Sequence, residues 1–66
     1  MNKEQILKEI ALKEILDIKE VAILINRSVA NIYELCRNEI IPYTKPKGQG
    51  KLYFEKSKIL KWLKGE

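Results

Sequence analysis

Thirteen cations and nine carboxylates carry most of the reactive chemistry in this 66-residue sequence. There is no histidine, so the commonest general base at neutral pH and the commonest metal ligand are both missing. Cys36 is the only cysteine, which excludes an intrachain disulfide and a cysteine-based zinc site. Five of the nine acids stand beside lysines, as in Lys3-Glu4, Lys8-Glu9 and Lys13-Glu14, the pattern of a solvated helix surface. No catalytic constellation, metal or cofactor is expected, and the chain is read as something other than an enzyme.

What remains is positive charge, and it is unevenly placed. Residues 1–26 hold four lysines against five acids, whereas residues 27–66 hold nine cations against four. Between 45 and 64 seven lysines face only Glu55. Basic charge confined to one region is what a polyanion selects, although a lysine-rich solvated surface has the same composition. Lys45, Lys47 and Lys51 surround a turn bearing Gly48 and Gly50, and glycine allows a backbone to come close. Arg37 has the planar fork that reads guanine with two hydrogen bonds, or else is a solvated cation favoured at a helix C-terminus. Tyr33 could donate its hydroxyl to a phosphate or simply cover a helix base. Lys56, Lys58, Lys61 and Lys64 are read as a solvated face, Trp62 as core, and Cys36 as a small buried apolar group.

The elements that must hold these groups belong to one domain, because about 60 residues bury only about 60% of their unfolded surface and supply a single thin core. Residues 1–16 are predicted as an N-terminal helix, with Glu4–Lys8 and Glu9–Lys13 spaced for favourable i, i+4 pairs. Ile6, Leu7, Ile10, Ala11 and Ile15 fill one half of its wheel, while Leu12 and Leu16 fall on the other. Such a helix wants two partners, the core and either a second protomer or another part of this chain. Asp17 with Glu20 three residues later is a capping box, and Leu16 and Val21 sit where a hydrophobic staple packs. A helix is therefore expected over 18–25, stopped by Asn26, which tolerates the left-handed conformation.

Ser28 caps a further helix over 29–38, with Val29, Ile32, Leu35 and Cys36 inward and Ala30, Asn31, Tyr33, Glu34, Arg37 and Asn38 outward. Residues 17–38 thus form a helix-turn-helix. Runs 43–45 and 52–54 are predicted to pair as a β-hairpin within 43–54. A last helix over 56–64 turns Ile59, Leu60, Trp62 and Leu63 to one face. The result is a mostly α fold with one small β-hairpin. The longest apolar run, 21–25, falls far short of the ~20 residues of a membrane span. The N-terminus lacks the plan of a signal peptide, and a lone thiol suits a reducing compartment, so the expected location is the cytoplasm.

From Leu16 to Leu63 the sequence resembles the excisionase-like helix-turn-helix family, small relatives of the MerR-type winged DNA-binding domains. The resemblance rests on Asp17-Ile18-Lys19-Glu20-Val21-Ala22-Ile23-Leu24, Ser28-Val29-Ala30-Asn31-Ile32-Tyr33, Ile41-Pro42-Tyr43 and Lys51-Leu52-Tyr53-Phe54, followed by Ser57 and Trp62-Leu63. It implies a winged helix-turn-helix, to which the N-terminal helix predicted above is an addition, since residues 1–15 lie outside the resemblance. The second helix of the pair would enter the major groove of double-stranded DNA, and the wing would grip the neighbouring backbone or minor groove. By position, Ala30, Asn31, Tyr33, Glu34 and Arg37 would face DNA, and Lys45, Lys47, Gln49 and Lys51 would form the wing contact. Lys19 and Arg27 are counted with them. The chain departs from the family at Val29, Ala30 and Glu34, where basic residues are common, and near Asn26 and Glu39, where glycine is usual.

Two functions compete. The first is a sequence-specific DNA-binding protein, either an accessory factor in site-specific recombination that contacts an integrase or a transcriptional regulator. The second is a winged-helix module for protein–protein assembly through its two-faced N-terminal helix, with homodimer formation as one form. The apolar start Val29-Ala30 favours assembly, and the lysine-rich stretch 45–64 favours DNA.

Overall fold

A computed structural model describes every residue except Met1, Gln49 and Glu66. Helix α1 spans Lys3–Leu12, opened by the Asn2 side chain, which accepts from the Gln5 N–H at 2.9 Å. The helix does not continue to residue 16. Lys13 is already extended at φ −108°, ψ 152°, and Ile15–Asp17 form a strand, β1. The pleat explains what the helical wheel could not: Leu16 is 0% exposed and points into the core, while the flanking Ile15 lies largely outside. Of the two leucines expected on a second face, only Leu12 is in solvent, at 89% exposure.

Helices α2 (Ile18–Leu24) and α3 (Val29–Arg37) begin where their capping residues require. The Glu20 N–H donates to Asp17 Oδ1 at 2.8 Å while the Asp17 N–H donates to Glu20 Oε1 at 3.1 Å, so two otherwise orphaned donors are satisfied. Ser28 Oγ accepts from the Asn31 N–H at 3.1 Å.

Both helices end in the same motif. Asn26 (φ 57°) and Glu39 (φ 55°) are left-handed. The Arg27 N–H donates back to the Ala22 carbonyl at 2.9 Å, and the Ile40 N–H to the Leu35 carbonyl at 2.8 Å, closing a Schellman turn at each site. Asparagine accommodates this conformation through its short side chain, but a glutamate carries the full Cβ penalty. Glu39 makes no ion pair among the described residues that would offset it. Glu39→Gly is therefore expected to stabilise the fold by about 0.5–1 kcal/mol, the relief of strain exceeding the gain in unfolded-state freedom. Thermal unfolding should show a Tm several degrees higher, and an unchanged or lower Tm would contradict this account of the turn.

Strand β2 (Tyr53–Glu55) pairs antiparallel with β1 in the register Ile15–Glu55, Leu16–Phe54, Asp17–Tyr53. The expected hairpin of 43–45 with 52–54 is thus found in part, since the regular partner of β2 is β1. Only Thr44 bridges to Tyr53, exchanging both backbone hydrogen bonds at 2.8 Å. Tyr53 therefore sits between the base of the wing on one side and Asp17, the cap of α2, on the other. Leu16 and Phe54 meet inside a core completed by Ile10, Val21, Ala22, Ile32, Cys36, Ile41 and Ile59.

Helix α4 (Lys56–Leu63) closes this core with Ile59 and the half-buried Trp62, but Leu63 is exposed and is not a core residue. Its start is tied to the end of α1 by two crossed caps. Lys56 Nζ donates to the Ile10 and Ala11 carbonyls, both at 3.1 Å, in the last turn of α1, where the Ile10 carbonyl also accepts from the Lys13 N–H. Glu14 Oε2 accepts from the Ser57 hydroxyl at 2.6 Å and the Ser57 N–H at 3.2 Å, replacing the cap that Glu55 does not provide. Those bonds from the Ser57 hydroxyl and N–H hold the Glu14 carboxyl below its usual pKa. Lys56 is thus a structural cap rather than part of a solvated face, while Lys58, Lys61 and Lys64 are exposed as expected.

Candidate nucleic-acid interface

Helix α3 is amphipathic. Ile32 and Cys36 are buried and Val29 and Leu35 half-buried, which locks the helix against the core. Burial raises the pKa of the Cys36 thiol, keeping it neutral and apolar. The other side exposes Ala30, Tyr33, Glu34 and Arg37, with Asn31 half-buried at the edge. Glu34 is the only acid on α3.

Tyr33 stands where α3 meets the wing, and two shallow hollows flank it. One, of about 250 Å³, is lined by Asp17, Ile18, Lys19, Tyr33, Gly50, Lys51 and Leu52. The other, of about 300 Å³, is lined by Tyr33, Cys36, Arg37, Tyr43, Lys45, Gly50 and Leu52. Each hollow therefore brings a cation from the helix-turn-helix beside one from the wing: Lys19 with Lys51, and Arg37 with Lys45. Lys47 is exposed on the turn and lines neither, and Gln49, counted among the wing contacts, lies outside the described residues. Arg27 sits at the entry to α3, where its Nη1 donates to Asn31 Oδ1 at 3.0 Å.

None of Lys19, Arg27, Arg37, Lys45, Lys47 and Lys51 forms an ion pair among the described residues; the two pairs present, Lys13–Glu20 and Lys58–Glu55, involve none of them. All six are exposed, and the acids beside them are Glu34 on α3 and Asp17 in the wall of the first hollow. Gly48 (φ 78°) needs its glycine for the turn, and among the described residues a Cβ at Gly48 or Gly50 would meet nothing within 4 Å. Among the described residues no three histidine, cysteine or acidic side chains come together to hold a metal. No helix there is long and apolar enough to cross a membrane.

Tyr43 and Leu52, which complete the walls of the hollows, were not picked out from sequence as part of this surface. An aromatic residue following Pro42 and two residues before Lys45 was a usable signal for the first. Leu52 gave none, since its place depends on where the wing folds back.

A short two-helix unit with a tight turn, a wing pinned to the cap of its first helix, and unpaired cations along the exposed side define a winged helix-turn-helix that binds DNA. A family model described as a helix-turn-helix domain matches residues 15–66, and the chain belongs to that family, the excisionase-like group its sequence resembles. The match begins at Ile15, where β1 begins, and leaves α1 outside it. No curated protein and no solved structure matches the chain.

Proposed function

We propose that this small DNA-binding protein recognises a particular duplex sequence, with α3 in the major groove and residues 45–51 on the neighbouring backbone. The observation that carries this reading is the pairing of helix and wing cations around Tyr33 in two adjoining hollows. Phosphates would be held by Lys19, Lys45, Lys47 and Lys51, with the Tyr33 hydroxyl as a further donor. Base edges would be met by Ala30, Asn31, Glu34 and Arg37, with Glu34 able to accept from a cytosine amino group.

The biological role in this reading is that of an excisionase-type accessory factor or a transcriptional regulator acting in the cytoplasm. Helix α1, outside the family-matched segment and carrying the exposed Leu12, is the surface offered to an integrase or to a second copy of the chain. That exposed leucine is also what favours the second reading, a winged-helix assembly module.

Salt dependence separates the two readings. Neutralising about four phosphates gives log affinity a slope of roughly −3 to −4 against log salt. Replacing Lys47 and Lys51 together with alanine should weaken binding to every duplex about equally and flatten the slope by up to ~2. Affinity indifferent to salt would remove the DNA-binding reading and leave assembly.

A further inference from the structure

We propose that Arg27 determines which base Asn31 reads, by holding the carbonyl end of the Asn31 side chain. This rests on the duplex-binding reading above and concerns the same surface. Arg27 Nη1 lies 3.0 Å from Asn31 Oδ1. A guanidinium carries donors and no acceptor, so the end of the amide turned toward it is the oxygen and not the nitrogen.

Both partners are fixed by the local fold. The left-handed Asn26 and the bond from the Arg27 N–H to the Ala22 carbonyl set the direction in which Arg27 leaves α2. Ser28 caps the Asn31 N–H and fixes the first turn of α3. Residues of that first turn are among those of a recognition helix that meet base edges.

An unrestrained asparagine reads adenine with both ends of its amide, accepting from N6 and donating to N7. Asn31 keeps its NH2 end free, while Arg27 occupies one lone pair of Oδ1 and places a guanidinium beside the other. A second donor approaching Oδ1 would meet the N–H groups and the positive charge of Arg27. What the pair presents to the groove is a donor beside a cation, which matches two acceptors on one base. Guanine offers O6 and N7; adenine would leave its N6 amino group facing the guanidinium, and cytosine offers an amino donor there. The base met by Asn31 is therefore guanine. Arg27 is a positioning residue for that choice.

The test uses the full chain and a duplex selected from a randomised pool, retitrated with each base pair replaced in turn at low salt. Asn31→Ala identifies the position that Asn31 reads by flattening its preference. There the wild type should favour guanine over adenine by about tenfold. Arg27→Met keeps the stem and removes the donors; it should abolish that preference or turn it toward adenine. Arg27→Lys retains a donor and should keep guanine. Preference ratios are unaffected by any uniform loss of affinity from the missing charge, and far-UV circular dichroism checks that each variant is folded.

A wild-type preference for adenine at that position overturns the proposal. So does a guanine preference unchanged in Arg27→Met, or no position that responds to Asn31→Ala. In those outcomes the wild type still binds DNA, so the broader reading stands. A wild type that binds no duplex overturns both.

Discussion

Leu16→Ala is expected to cost about 2–5 kcal/mol, enough to leave much of the protein unfolded at 37 °C. A chain of 66 residues has a total stability of only roughly 3–10 kcal/mol. Leu16 is fully enclosed, at the point where β1 crosses Phe54 and beside the start of α2, so the cavity has little freedom to collapse. Leu12→Ala, made at an almost fully exposed position, should change stability by no more than about 0.5 kcal/mol. Urea denaturation of the two variants gives the comparison directly. Equal losses would mean that residues 12 and 16 lie in the same environment, as on one continuous helix, and would contradict the strand at 15–17.

The second large effect is expected at the interface. Arg37 occupies the last turn of α3, exposed and without an ion pair among the described residues, on a helix anchored by Ile32 and Cys36. A long side chain on a rigid base can aim at a base edge, and its guanidinium fits guanine O6 and N7 together. Arg37→Ala should weaken binding to the preferred duplex by about 1–3 kcal/mol and binding to random DNA far less. Competition between the preferred and a random duplex reads both terms in one titration. Equal losses on the two would make Arg37 a backbone clamp. Base discrimination would then fall to Asn31, Tyr33 or Glu34.

The parts of the fold legible in the sequence are those whose causes are local. Asp17 with Glu20 and Ser28 with the Asn31 N–H mark helix starts within three residues, and the observed starts of α2 and α3 coincide with them. Asn26 announced its left-handed turn through its residue type; Glu39 adopts the same conformation against its type, held by its own N–H on the Cys36 carbonyl and the Ile40 N–H on the Leu35 carbonyl.

Strand β1 was not legible because three residues are too short to establish a period. Leu16 fits both a helical wheel with two faces and a pleat with one. What decides between them is Phe54, a partner remote in sequence. Lys56 was misread for the same reason: a lysine on a basic helix looks solvated until the carbonyls of Ile10 and Ala11 arrive beneath it. At the interface, the cations could be chosen by charge and position. Their grouping into two hollows could not, since Lys19 meets Lys51 only once Tyr53 has joined the wing to β1.

The pairing of residues 15–17 with 53–55 also governs the order of events as the chain folds. The turn between α2 and α3 closes over a few residues, and short-range closures of this kind are fast. The sheet must bring together segments separated by the whole helix-turn-helix and wing, and the loss of chain entropy comes before any contact repays it. Until that happens Leu16 and Val21 have no Phe54 to cover them. A chain that has reached only Ile41 holds the sequences of α2 and α3 but lacks Phe54 and Ile59, which complete the core they pack on. The pairing of β2 with β1 is therefore expected to be the step that completes the core behind α3.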